Sequence, residues 1–186
     1  YEQAVDTARF SSPELADRIE YFDKSSDIFS YYNLNGKLNR LLERRVWLDS
    51  GAYLVIDQTE ALTVIDVNTG KFTGDNRLED TILETNLEAA GEIARQLRLR
   101  GIGGIIIIDF IDMDRDEHRA RVKRALEDAV REDKVKTNIV GFTGLGLMEM
   151  TRKKVRNNIK SIMQTACPYC AGSGSVLNNI SVVHKL

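Results

Sequence analysis

Residues 105–114 read IIIIDFIDMD. Four consecutive β-branched residues favour a strand over a helix, and a continuous apolar run of this length predicts a strand covered on both faces. The run ends abruptly in acid, at Asp109, Asp112 and Asp114. A lone carboxylate at the mouth of a buried strand is costly, and a bound divalent cation would offset that cost. The stretch therefore demands a layered fold with a sheet at its centre, and it marks the carboxyl end of one strand as a place where chemistry can sit.

The flanking patterns supply the layers. VWLDSG and AYLVID read as a hairpin around Gly51, and ALTVIDVN adds a strand after the turn DQTE. TGKFTGDN is a loop with two glycines. In LEDTILETNLEAAGEIARQLRLRG, residues Leu83, Leu87, Ala90, Ile93 and Leu97 fall on one helical face, and Gly101 is a natural stop. HRARVKRALEDAVRED carries Val122, Leu126 and Val130 on a second amphipathic helix, TNIVGF is a short strand, and LMEMTRKKVRNNIKSIMQTA reads as a third helical stretch. Strands alternating with helices after an opening hairpin predict an α/β domain: a mixed β-sheet with flanking helices. Residues 1–45 are rich in Tyr, Phe, Ser and Asp and show no core of their own. They read as the tail of a preceding domain or a docking arm.

Composition narrows the function classes. The 186 residues are 42% hydrophobic and 29% charged, with a net charge of −2. A polyanionic partner would therefore need a local basic face. No apolar run reaches the roughly 18–20 residues of a membrane span, and the polar start YEQAVDTARF shows no signal peptide. The chain lacks an initiator Met, so a fragment of a longer protein is expected. Two cysteines in one CPYC exclude a disulfide framework and point to the cytoplasm.

Two strand ends carry acids. In Ile65-Asp66-Val67-Asn68, residues two apart share a face, so Asp66 and Asn68 point together while Val67 points to the other layer. If that strand neighbours the isoleucine strand, Asp66, Asn68 and Asp109 converge into a hard-oxygen set suited to Mg²⁺ and a phosphate substrate. Asp112 reaches the same point only if the strand ends at Phe110. Asp114 reads as the cap of the next helix, with Glu117 three residues on in a capping-box arrangement.

Cys167 and Cys170 have the spacing of a zinc half-site. Two chains, each giving one CPYC, could share an ion. A redox dithiol and a pair of inert thiols are the alternatives. The densest positive segments, Arg95, Arg98 and Arg100, then Arg152, Lys153, Lys154 and Arg156, are candidate nucleic-acid-backbone contacts or simply solvated helix faces.

GAYLVIDQTEALTVIDVNTGKFTG, LEDTILETNLEAAGEIARQLRLRGIGGIIIIDFIDM, GLGLMEMTRKK and CPYCAGSG, taken in order, closely resemble the ribonuclease E/G family, from about residue 20 to 176. The resemblance implies a Mg²⁺-dependent endoribonuclease cutting single-stranded, A/U-rich RNA to 5′-phosphate and 3′-hydroxyl ends, in RNA processing and decay. It implies a division into residues 1–41, a remnant of an RNase H-like subdomain; 42–163, a DNase I-like catalytic subdomain; 164–176, a short zinc-link; and 177–186, a C-terminal stub. It puts the catalytic metal on Asp66 and Asp109, with Asn68 beside it, and places Cys167 and Cys170 on a zinc shared by a homodimer, with a tetramer open to the full-length protein. The family's S1 module and most of its 5′-end sensor have no counterpart here. Lys136 matches a basic position that supports the missing sensor loop. Two rival readings remain: a non-catalytic RNA-binding and dimerisation fragment, and a CxxC redox protein.

Overall fold

A computed structural model describes residues 1–70, 78–170 and 172–175. Residues 71–77, which take in most of the expected loop TGKFTGDN, together with residue 171 and the C-terminal 176–186, lie outside the described residues. The chain divides into two compact units, Tyr1–Arg40 and Leu41–Leu186.

The first unit is helical. It holds α1 (Glu2–Ser11), α2 (Pro13–Ala16), α3 (Ile28–Tyr31) and most of α4 (Leu34–Leu42). Pro13 opens α2, where its missing N–H costs nothing. Asp27 caps α3 by accepting from the Phe29 and Ser30 N–H groups at 3.2 and 2.8 Å. Its aromatic residues pair edge-on, Phe22 with Tyr31 and Tyr31 with Tyr32.

The second unit carries β1 (Arg45–Trp47), β2 (Tyr53–Gln58), β3 (Leu62–Asn68), α5 (Leu78–Arg100), β4 (Gly104–Asp109), α6 (Asp116–Arg131), β5 (Thr137–Phe142), β6 (Met148–Arg152) and α7 (Ile159–Met163). Its six strands run in the order β1-β2-β3-β4-β6-β5. β3 and β4 are parallel, joined through α5, and the other neighbours are antiparallel. This is the mixed α/β architecture expected from the alternation of strands and helices.

One face of the sheet is packed. Leu54, Ile56, Ile65, Val67, Ile106, Ile108, Met148 and Met150 meet Leu83, Ala90, Ile93 and Leu97 of α5 and Val122 and Leu126 of α6 in a single core. Each fully buried aliphatic side chain there contributes about 2 kcal/mol. α5 ends as its sequence foretells. Gly101, at φ +66°, lets the Ile102 N–H return to the Leu97 carbonyl at 3.0 Å, a glycine-closed helix end.

Three expectations are corrected. The isoleucine strand is covered on one face only: Ile106 and Ile108 are fully buried, but Ile105 is 51% exposed. A two-layer fold with both long helices on one side leaves the other side open. The stretch expected as a third helix begins instead as β6, because Met148, Met150 and Arg152 alternate with Glu149 and Thr151 at the strand period; the helix α7 is confined to Ile159–Met163. Asp114 caps nothing. α6 starts one residue later, with Arg115 at the N-cap position and no side-chain cap.

Arg152, expected on a basic helix face, is a core residue of β6. Its guanidinium donates to Asp133 through Nε (2.8 Å) and Nη2 (2.7 Å), and through Nη1 to the Ile102 carbonyl at 2.6 Å.

Candidate active site

The parallel pairing of β3 with β4 sets Asp66 directly beside Asp109 as register partners, the last rung of the ladder after Ile65 and Ile108. Both carboxylates stand at the carboxyl ends of their strands, where ligand crevices form in open α/β sheets. They project to the open face, since the intervening Ile65 and Val67 point into the core. Asn68, two residues on, donates from Nδ2 to Asp66 Oδ2 at 2.7 Å. The three residues singled out by spacing are thus brought together by one strand pairing.

Negative charge accumulates here. Partial burial first, and then the charges of Asp66 and Asp112, push the Asp109 carboxyl above the usual carboxylate range. β4 ends at Asp109 itself, and this early end turns Asp112 back within electrostatic reach.

The segment that follows Asp109 is fixed from behind. Asn86 of α5 is fully buried. Its Nδ2 donates to the Ile111 carbonyl at 2.8 Å, and its Oδ1 accepts the Ile111 N–H at 3.1 Å. Arg119 of α6 adds a bond from Nε to the Met113 carbonyl at 3.0 Å, and Phe110 is buried beside Phe142 at 6.1 Å between centroids. Spacing arguments missed Asn86, although it carried a signal: a polar amide three residues from Leu83 and four from Ala90, on the apolar stripe of α5. A second overlooked residue, Glu88, accepts the Asp49 and Ser50 N–H groups at 2.7 and 3.3 Å and pins the β1–β2 turn.

The donor set fits a small hard cation. Two carboxylates and an amide supply oxygen donors without a closed protein cage, the pattern in which Mg²⁺ keeps several waters. Among the described residues no group of three or more His, Cys, Asp and Glu side chains is placed to hold a metal ion. The pair therefore differs from an all-protein site.

The two cysteines are free thiols. CPYC stands four residues beyond α7, in a turn, rather than closing the helix. The Gly174 and Gly172 N–H groups are the main cause holding the Cys170 thiol below its usual range, with Cys167 and Ser173 helping and burial opposing. A thiol so placed favours the thiolate, which is the metal-binding form.

The seven basic candidates do not form one surface. Arg100 is buried, with Nε on Gln96 (2.6 Å) and Nη1 on the Glu43 carbonyl (2.8 Å), and Arg152 is the core residue described above. Arg95 is paired with Glu92 at 2.6 Å, and Arg98 lies 3.9 Å from Glu132. Lys153, Lys154 and Arg156 are exposed.

Residues 1–155 match the Ribonuclease E/G family. The chain is 47% identical over 186 residues to Ribonuclease G of Salmonella typhimurium (strain SL1344), covering 100% of this chain and 38% of that protein. It is 48% identical over 174 residues to Ribonuclease G of Haemophilus influenzae, covering 94% of this chain and 35% of the relative. To Ribonuclease E of Escherichia coli (strain K12) it is 40% identical over 175 residues, 94% of this chain and 16% of the relative. The chain spans well under half the length of these relatives, and it belongs to the ribonuclease E/G family.

Proposed function

We propose that this chain carries the hydrolytic centre of a Mg²⁺-dependent endoribonuclease that cleaves single-stranded, A/U-rich RNA and leaves 5′-phosphate and 3′-hydroxyl ends. The observation that supports it most is the register of Asp66 with Asp109 at the ends of the parallel strands, with Asn68 bonded to Asp66. Family membership supplies the substrate class: the relatives are named ribonucleases G and E. On the same grounds the mixed sheet and its helices correspond to a DNase I-like subdomain.

Asp66 and Asp109 would hold the metal. When bound, Mg²⁺ supplies Lewis-acid neutralisation of charge developing on the phosphodiester and activation of water. The chain's own residues do the rest. Asn68 fixes the Asp66 carboxylate through its 2.7 Å bond. Asn86, through Ile111, fixes the backbone leaving Asp109 and with it the separation of the two acids. Asp112 adds negative potential that raises cation affinity. Lys153, Lys154 and Arg156 remain the basic candidates exposed to meet an RNA backbone.

Cys167 and Cys170 would form half of a zinc site completed by a second copy of the chain, making a homodimer. The lowered Cys170 thiol supports a metal-ligand role, and a closed tetrahedral site needs four ligands where one CPYC offers two, so a second copy would complete it. Among the described residues no helix is long and apolar enough to cross a membrane. With two free thiols, the cytoplasm is the compartment we propose.

A 5′-monophosphorylated single-stranded RNA incubated with and without Mg²⁺ tests the reading. Cleavage only with Mg²⁺, abolished by Asp109→Asn, is expected. RNA binding with a steep salt dependence and no cleavage at any Mg²⁺ concentration would instead make the chain a binding and dimerisation module.

A further inference from the structure

Two rows of side chains cross the open face of the sheet. In the first, Arg45, Val55, Asp66 and Asp109 are successive register partners on β1, β2, β3 and β4. In the second, Trp47, Tyr53 and Asn68 follow one another in the same way. Register partners share a face, so the aromatic pair lies on the surface that carries the two acids. At about 4.8 Å per strand, Tyr53 stands roughly 5 Å and Trp47 roughly 10 Å from Asn68 across the sheet.

The first members of these rows form a stack. The Trp47 and Tyr53 rings are 5.1 Å apart and tilted by 56°. The Arg45 guanidinium lies over both, 4.5 Å from the Tyr53 centroid and 5.6 Å from that of Trp47. Trp47 is nevertheless 62% exposed, and among the described residues Arg45 forms no ion pair with a carboxylate. Glu88 anchors the turn between the two strands, so the rings ride on a fixed hairpin. A cross-strand aromatic pair stabilises a hairpin by itself. That role requires neither a solvent-facing Trp on an edge strand nor an uncompensated guanidinium above it.

We infer that Arg45, Trp47 and Tyr53 form a base-stacking platform for a nucleotide of the single-stranded RNA that lies across Asp66 and Asp109. The inference rests on the endoribonuclease reading. Aromatic faces bind unpaired bases of any sequence, and a guanidinium beside them meets the backbone phosphate. The platform sits on one side of the acid pair, so it holds the strand at a set offset from the bond to be cut.

Trp47 is the chain's one tryptophan, so tryptophan emission, excited beyond the tyrosine absorption band, reports on the platform alone. The chain is titrated without Mg²⁺ and without chelator, so that any bound zinc stays in place, with a fluorescein-labelled oligoadenylate, read by anisotropy for binding, and with the unlabelled strand, read by Trp47 emission. Quenching that saturates with binding is expected, and an abasic ribose-phosphate strand of equal length should bind without quenching. Trp47→Ala should weaken binding by about 5- to 150-fold, the range for loss of one stacked base, with Trp47→Phe retaining most of the affinity. In cleavage assays the loss should fall on KM and leave kcat near its original value. Binding without a Trp47 signal, equal affinity in Trp47→Ala, or no binding at all would each overturn the platform. So would a Trp47 spectrum that shifts with chain concentration in the absence of RNA, which would give this face to a second copy. Because binding is read without Mg²⁺, an inactive chain leaves these outcomes legible, and an active chain that fails them strikes the platform alone.

Discussion

Asn86 and Ile111 exchange two hydrogen bonds between a fully buried amide and one residue's backbone, Nδ2 to the carbonyl at 2.8 Å and the N–H to Oδ1 at 3.1 Å. The bonds imitate one rung of a sheet exactly where β4 has run out of partners. They give the segment after Asp109 a fixed course without another strand.

Asn86→Leu keeps the volume and removes both partners. It leaves an N–H and a C=O unsatisfied in the interior, at about 2–3 kcal/mol by urea denaturation. The carboxylate two residues earlier loses its support, so Mg²⁺-dependent cleavage should fall about 10- to 100-fold, the usual effect of removing an outer partner of a metal site. Asn86→Asp should be worse for activity than for folding. It can still accept the Ile111 N–H, but it adds a negative charge behind an acid pair that already repels. Equal activity in both variants would remove Asn86 from the site.

The repulsion between Asp66 and Asp109 makes a second expectation. A cation that binds the folded pair and not the unfolded chain stabilises by mass action, by about 2.7 kcal/mol at a hundredfold excess over its Kd. For a domain of this size that is a rise in Tm of several degrees. Asp66→Asn and Asp109→Asn should each lose most of the Mg²⁺-dependent rise and at least about a hundredfold in cleavage, the upper end of the effect of an outer partner. Thermal melts with and without Mg²⁺ separate the two readouts. A full Mg²⁺ response in Asp109→Asn would place the ion elsewhere.

The acid pair was legible because it depends on two short-range facts, the strand period that aligns Asp66 with Asn68 and the apolar run that ends at Asp109. Only the adjacency of β3 and β4 had to be supplied by the fold. Arg152 shows what could not be read. MEMTR is too short for its alternation to outweigh the helix-forming character of Met, Glu, Arg and Lys, and the basic residues after it read as a solvent face. What decides the matter is the slot between β4 and β5, together with Asp133, nineteen residues away in sequence. Ile105 failed for a related reason. An apolar run gives the strand but not whether a second layer of helices exists to cover it.

Zinc offers a test independent of RNA. If two chains complete one tetrahedral site, the purified protein should hold half an equivalent of zinc per chain. Sedimentation should show a dimer that dissociates with a chelator. Cys170→Ser should abolish both, since the shared site would keep only two thiolates, one from each chain, and a hydroxyl is a poor zinc ligand. One full equivalent per chain, or a dimer indifferent to chelation, would reject the shared site. A redox dithiol would instead show a disulfide on mild oxidation and no bound metal.

The ion pair between Asp133 and Arg152 predicts an acid-sensitive edge to stability. Their side chains are 11% and 5% exposed, so solvent screens them little. Burial alone would raise the Asp133 carboxyl, but the Val135 N–H, the Arg152 guanidinium and Arg98 outweigh it and hold it below the usual carboxylate range. An acid whose folded value is depressed contributes stability that is fully present above its unfolded value, about 3.9. That contribution is lost as pH falls through the lower folded value. Asp133→Asn should therefore cost about 3 kcal/mol at neutral pH, since it leaves a buried guanidinium without its counter-charge. The gap between the original chain and the variant should then close below about pH 4 as the carboxyl in the original chain takes up its proton. Urea midpoints collected across this range give both slopes. Parallel curves down to the lowest pH would show that the pair contributes through packing and hydrogen bonding, and that the charge of Asp133 adds nothing.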